Sequence, residues 1–66
     1  MTKSGFARVD RGSFLEVIAT ATSSYSAGAP DGEHVAMYYR GGRVVATARY
    51  MRRARTEYRV RPDARN

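Results

Sequence analysis

The chain has 66 residues, room for one domain, and a chain this short buries only about 60% of its unfolded surface. It has no cysteine, which excludes a disulfide or thiolate–metal staple, and no apolar run approaches the roughly 20 residues needed to span a bilayer. The net charge is +6, and it is unevenly spread. Residues 1–39 set Lys3, Arg8 and Arg11 against Asp10, Glu16, Asp31 and Glu33, a net of −1, whereas residues 40–66 set nine arginines against Glu57 and Asp63, a net of +7. Such asymmetry implies a polyanionic or acidic partner for the second half.

In chain order, Met1-Thr-Lys-Ser-Gly5 lacks the apolar core of a signal peptide, and the expectation is a soluble cytoplasmic protein with flexible ends at about 1–5 and 62–66. Gly5-Phe-Ala-Arg-Val9 suits a short strand, and Asp10-Arg11-Gly12 has turn chemistry.

Ser13 and Glu16 have the spacing of a capping box, in which each side chain takes one of the orphan N–H groups of a helix start. At 100° per residue Phe14, Leu15, Val17, Ile18, Ala21 and Tyr25 then share one face, with Gly28 and Pro30 as stop signals. The spacing therefore predicts a helix over about 14–26. The composition pulls the other way, because Thr20, Thr22, Ser23 and Ser24 are weak helix formers and Val17, Ile18 and the threonines favour strands. On the strand reading Asp10-Arg-Gly12 becomes a hairpin tip and the domain all-β.

Pro30-Asp31-Gly32 marks a loop. Two β-prone runs then flank Gly41-Gly42, a two-residue loop suited to a type I′ or II′ hairpin because glycine takes φ > 0 without steric cost. These runs predict strands at 34–40 and 43–51. The alternation in Tyr58-Arg-Val-Arg61, closed by Pro62, predicts a third strand at about 56–61. The expected fold is thus α+β, one helix packed on a three-stranded antiparallel sheet, with a five-stranded all-β meander or small barrel as the alternative. The expected core is Phe14, Leu15, Val17, Ile18, Ala21, Val35, Met37, Val45, Tyr58 and Val60.

Tyrosines and arginines interleave from Tyr38 to Arg61. Arginines neutralise phosphates and release counterions, while tyrosines on a sheet stack on bases. The expected binding residues are Arg40, Arg43, Arg49, Arg52, Arg53, Arg55, Arg59, Arg61, Tyr38 and Tyr50. Arg40 and Arg43, at the hairpin tip, are also placed to grip one phosphate or carboxylate.

No catalytic reading assembles. His34, near Asp31 and Glu33, is the sole histidine, too few ligands for a metal centre and no partner for a serine nucleophile. No cofactor motif occurs, because Gly41-Gly42 lacks the spacing and lysine of a phosphate-binding loop. Two functions follow: a non-enzymatic module contacting nucleic acid, or a small inhibitor or adaptor of the phage or mobile-element kind that binds an acidic surface of a larger protein. Two-sided strands and a small core fit a homodimer in either case.

Overall fold

The computed structural model describes residues 5–28, 32–50 and 56–64. In chain order these form β1 (Ala7–Val9), α1 (Arg11–Ile18), β2 (Ser23–Gly28), β3 (His34–Arg40), β4 (Arg43–Tyr50), β5 (Glu57–Val60) and one 3-10 turn, Pro62–Ala64. The strands make one antiparallel sheet in the order β1-β5-β4-β3-β2. Thus β2 to β5 run as a meander, β1 lies on the far edge of β5, and α1 links the two outermost strands across one face.

A helix on a three-stranded sheet is therefore overturned, and the five-stranded all-β alternative comes closer. The helix starts earlier than 14 because Asp10, not Ser13, is the N-cap: its Oδ2 accepts from the amides of Gly12 at 3.1 Å and Ser13 at 3.3 Å. It stops at Ile18 because the Ala19–Ser24 run favours tighter, local bonds. The Thr20 and Ala21 amides donate to Val17 O and Ile18 O, each at 3.0 Å, and Thr20 Oγ1 donates to Val17 O at 2.7 Å. The Thr22 amide then joins the sheet through Tyr39 O at 2.8 Å, and the second half of the expected helix becomes β2. Sheet pairing gives the backbone of this Ser-rich segment partners that its helix propensity could not secure.

The Gly41-Gly42 hairpin forms as expected. Its φ values of +61° and +80° match a type I′ turn, and Arg40 faces Arg43 across it. The register skips Val45, since Tyr38 pairs with Ala46 and Tyr39 with Val44. This bulge turns the consecutive residues Val45 and Ala46 both inward, which a regular strand could not do.

The core lies between α1 and strands β4 and β5. Phe14 and Val17 descend onto Ala46, Ala48 and Val60, with Ala64 closing one end. The Phe14 ring meets Tyr38 edge-on, with centroids 5.5 Å apart, and lies tilted on Tyr58 at 4.6 Å. Three small residues, Ala36, Ala46 and Ala48, are buried and were absent from the expected core. Leu15 is 43% exposed, because a two-turn helix turns only one narrow stripe inward. Val35 and Met37 are half-buried and alternate onto the sheet's other face. Residues 62–64, expected within the tail, form the 3-10 turn that carries Ala64 into the core.

Candidate nucleic-acid interface

Alternation along five strands gives the sheet a second face, opposite α1. Cross-strand register lays Arg8, Arg59, Thr47, Met37 and Tyr25 in one row across all five strands. A neighbouring row holds Glu57, Arg49, Val35 and Ala27, and a third holds Val44, Tyr39 and Ser23. Among the described residues no helix lies over this face. It is polarised: arginines gather toward the β1–β5 edge, while Tyr25, Met37, Tyr39 and Val35 form a mixed aromatic and apolar area toward β2.

Charge on this face is only partly satisfied. Glu57 takes a hydrogen bond from Arg8 Nη2 at 2.9 Å and an ion pair from Arg59 Nη2 at 3.5 Å, and Arg49 is its register partner on β4. Two guanidinium groups thus engage one carboxylate, with Arg49 on the neighbouring strand. A shallow depression of about 220 Å³ beside this carboxylate is lined by Val35, Met37, Thr47, Arg49, Glu57 and Arg59. Tyr25 is 59% exposed, and the Tyr39 hydroxyl contacts Met37 Sδ at 4.0 Å.

The residues expected to bind do not share one surface. Arg49 and Arg59 lie on the open face. Arg40, Arg43 and Arg61 gather instead at the hairpin tip, where Arg40 Nη1 donates to Thr20 Oγ1 at 2.7 Å and Arg43 pairs with Asp63 at 3.7 Å. Arg61 donates from Nε to Val44 O at 2.9 Å and stacks over the Phe6 ring, 5.0 Å from its centroid. Tyr38 and Tyr50 lie on the helix side. Tyr38 is half-buried and packed against Phe14, while Tyr50 beside it is 42% exposed. Burial first, then the neighbouring phenols of Tyr38 and Tyr58, hold the Tyr50 hydroxyl above the ordinary tyrosine range. Arg52, Arg53 and Arg55 lie outside the described residues.

Arg8 and Tyr25 were missing from the expected set, and Tyr39 entered only as part of the interleaved run. Tyr25 had been placed on the apolar face of a helix. The signal that could have found it was the weak helix propensity of the serines around it, together with the strand preference of tyrosine itself.

Among the described residues no helix is long and apolar enough to cross a membrane, and no three of His, Asp and Glu gather as a metal cluster would. Comparison with protein-family models, with curated proteins and with solved structures finds no match to this chain.

Proposed function

We propose that this chain is a non-enzymatic module that binds single-stranded nucleic acid across the open face of its sheet. The observation that carries this reading is the pairing of an exposed ring, Tyr25, and a half-buried one, Tyr39, with flanking cations. Tyr25 and Tyr39 share a face with Arg8, Arg49 and Arg59, and the Val35–Met37 depression lies between the two groups. Rings on a flat sheet stack unpaired bases, whereas a duplex keeps its bases stacked inside and offers them only phosphates to follow. Arginines at one margin would track the backbone of the strand.

The test is fluorescence polarisation with a labelled single-stranded oligonucleotide over a salt series. Binding should weaken with a slope of about −0.7 in log K against log salt for each phosphate contacted. The double variant Tyr25→Ala, Tyr39→Ala should lose affinity while keeping that slope. Full affinity in the double variant would sink the reading. Salt-dependent capture of an acidic protein, indifferent to both tyrosines, would instead favour the adaptor function.

A homodimer belongs to the same reading, formed edge to edge along β2. Among the described residues β2 pairs only with β3, and Ser23–Gly28 is exposed throughout, without charge or proline. Such an edge is a template for another strand, whereas the opposite edge, β1, is three residues long and carries Arg8. Sedimentation at micromolar concentration should show a dimer, and Ser26→Lys, which sets like charges across the new pairing, should return it to monomer.

A further inference from the structure

We propose that the hairpin tip is a second, separate site, built for a phosphomonoester. A cavity of about 120 Å³ there is lined by Arg40, Arg43, Val45, Arg61 and Asp63. Its three guanidinium groups come from two different parts of the chain. The type I′ turn sets Arg40 and Arg43 opposite one another, and the Arg61 amide donates to Val45 O at 2.9 Å, which registers it against the bulge.

Two of the three arginines are anchored by one nitrogen and leave other donors unused by that anchor. Arg61 spends Nε on Val44 O, with its guanidinium carbon over the Phe6 ring. Arg40 spends Nη1 on Thr20 Oγ1. A guanidinium has five N–H donors in a planar fork, so fixing one nitrogen orients the rest. That preorganisation lowers the ordering cost of binding. Several guanidinium groups around one small cavity fit a compact oxyanion with two negative charges better than they fit a single carboxylate.

Asp63 is the resident anion. Its contact with Arg43 is long, 3.7 Å, and both side chains are about two-thirds exposed, 64% and 65%. Exposed pairs of this kind are weak. An incoming phosphate would take Arg43 from Asp63.

The rest of the ligand has a place beside it. A cleft of about 580 Å³ shares Arg40 with the tip cavity and is walled by Ala7, Glu16, Val17, Thr20, Pro62 and Ala64. That volume lies in the roughly 300–1,000 Å³ range of small-molecule pockets. Its apolar wall suits a ring, and the Glu16 carboxylate can accept from a sugar hydroxyl. The same carboxylate repels a second phosphate, so the site favours a monoester over a di- or triphosphate. A nucleoside monophosphate and the 5′-phosphorylated end of a strand present the same chemistry. None of the open-face residues takes part, so this site does not rest on the sheet-face reading.

The test is NMR titration of the arginine Nε–Hε resonances with inorganic phosphate and with adenosine monophosphate. Saturable shifts at Arg40, Arg43 and Arg61 are expected, with the monophosphate binding more tightly than phosphate alone. Arg43→Ala, at an exposed turn position, should weaken binding about tenfold or more. Asp63→Asn should tighten it severalfold, and Tyr25→Ala should leave it unchanged. Shifts that never saturate, or an Asp63→Asn variant no tighter than the native chain, would overturn the proposal. A matched pair of oligonucleotides identifies the source. Preference for a 5′-phosphate over a 5′-hydroxyl assigns the site to strand ends, and equal binding of the two beside saturable monophosphate binding assigns it to a free nucleotide.

Discussion

Ser13 donates its hydroxyl hydrogen to Asp10 Oδ1 at 2.7 Å, while the other oxygen of the same carboxylate caps the amides of Gly12 and Ser13. The Ser13 hydroxyl, then the capping amides, hold the Asp10 carboxyl below its ordinary value. This cap, in which every bond is accepted by Asp10, sets where the only described α-helix begins. Asp10→Ala should therefore lower the thermal midpoint by a few degrees, and Asp10→Asn, which caps nearly as well, should restore most of it. The pH dependence has a definite sign. A carboxyl whose native pKa is depressed contributes fully above its unfolded value of about 3.9, and that contribution is lost as pH falls through the native value. Melts followed by circular dichroism should separate the native chain from Asp10→Ala at neutral pH and converge in acid.

Phe14 is the residue on which the helix depends. It is 3% exposed, and its ring contacts Tyr38 and Tyr58, so it ties α1 to β3 and β5 at once. Truncating a buried phenylalanine costs about 3–5 kcal/mol, most of the stability available to a domain of this size. Phe14→Ala should be largely unfolded at 37 °C, and Phe14→Leu should fold with a lowered urea midpoint. A cooperative native-like transition in Phe14→Ala would show that the helix is not part of the folding unit.

How much of this was legible in the sequence varies by element. The Gly41-Gly42 turn was readable because only glycine accepts two successive positive φ values cheaply, so chemistry and position coincide. Residues 19–28 were not. Their apolar spacing fitted a helix, and the decision lay with β3, whose edge supplied pairing that no local pattern announces. That error carried Tyr25 to the wrong surface and hid the open face. The bulge at Val45 was likewise invisible, since Val44-Val45-Ala46 reads as ordinary alternation until Tyr39 is seen to pair with Val44. The arginine-rich half was legible as charge but not as geometry. Sheet alternation and the chain's turn after β5 sent Arg59 to the open face and Arg61 to the tip, although one residue separates them.

Tyr50 supplies an alkaline counterpart to Asp10. Its native pKa is raised, by burial and then by Tyr38 and Tyr58, above the ordinary value of about 10. A raised native pKa means stability that is fully present below the unfolded value and lost as pH rises through the native one. The native chain should lose stability above about pH 10, in step with ultraviolet absorbance of the phenolate. Tyr50→Phe should remove part of that loss. An unchanged alkaline transition in Tyr50→Phe would assign it to other groups.

Glu57 offers the sharpest test of the open face. Its two oxygens engage Arg8 at 2.9 Å and Arg59 at 3.5 Å, so it cancels one charge where the proposed strand would lie. These pairs involve arginines that are 65% and 47% exposed, and removing them should cost no more than about 1 kcal/mol. Glu57→Gln keeps the shape and frees both cations for phosphate. Affinity for single-stranded oligonucleotide should therefore rise at low salt, and the salt slope should steepen by up to about 0.7 for each additional phosphate contacted. The effect should be absent in phosphate titrations at the hairpin tip, which Glu57 does not line. Unchanged oligonucleotide affinity in a folded Glu57→Gln chain would mean that any nucleic acid it binds does not cross the β1–β5 side of the sheet.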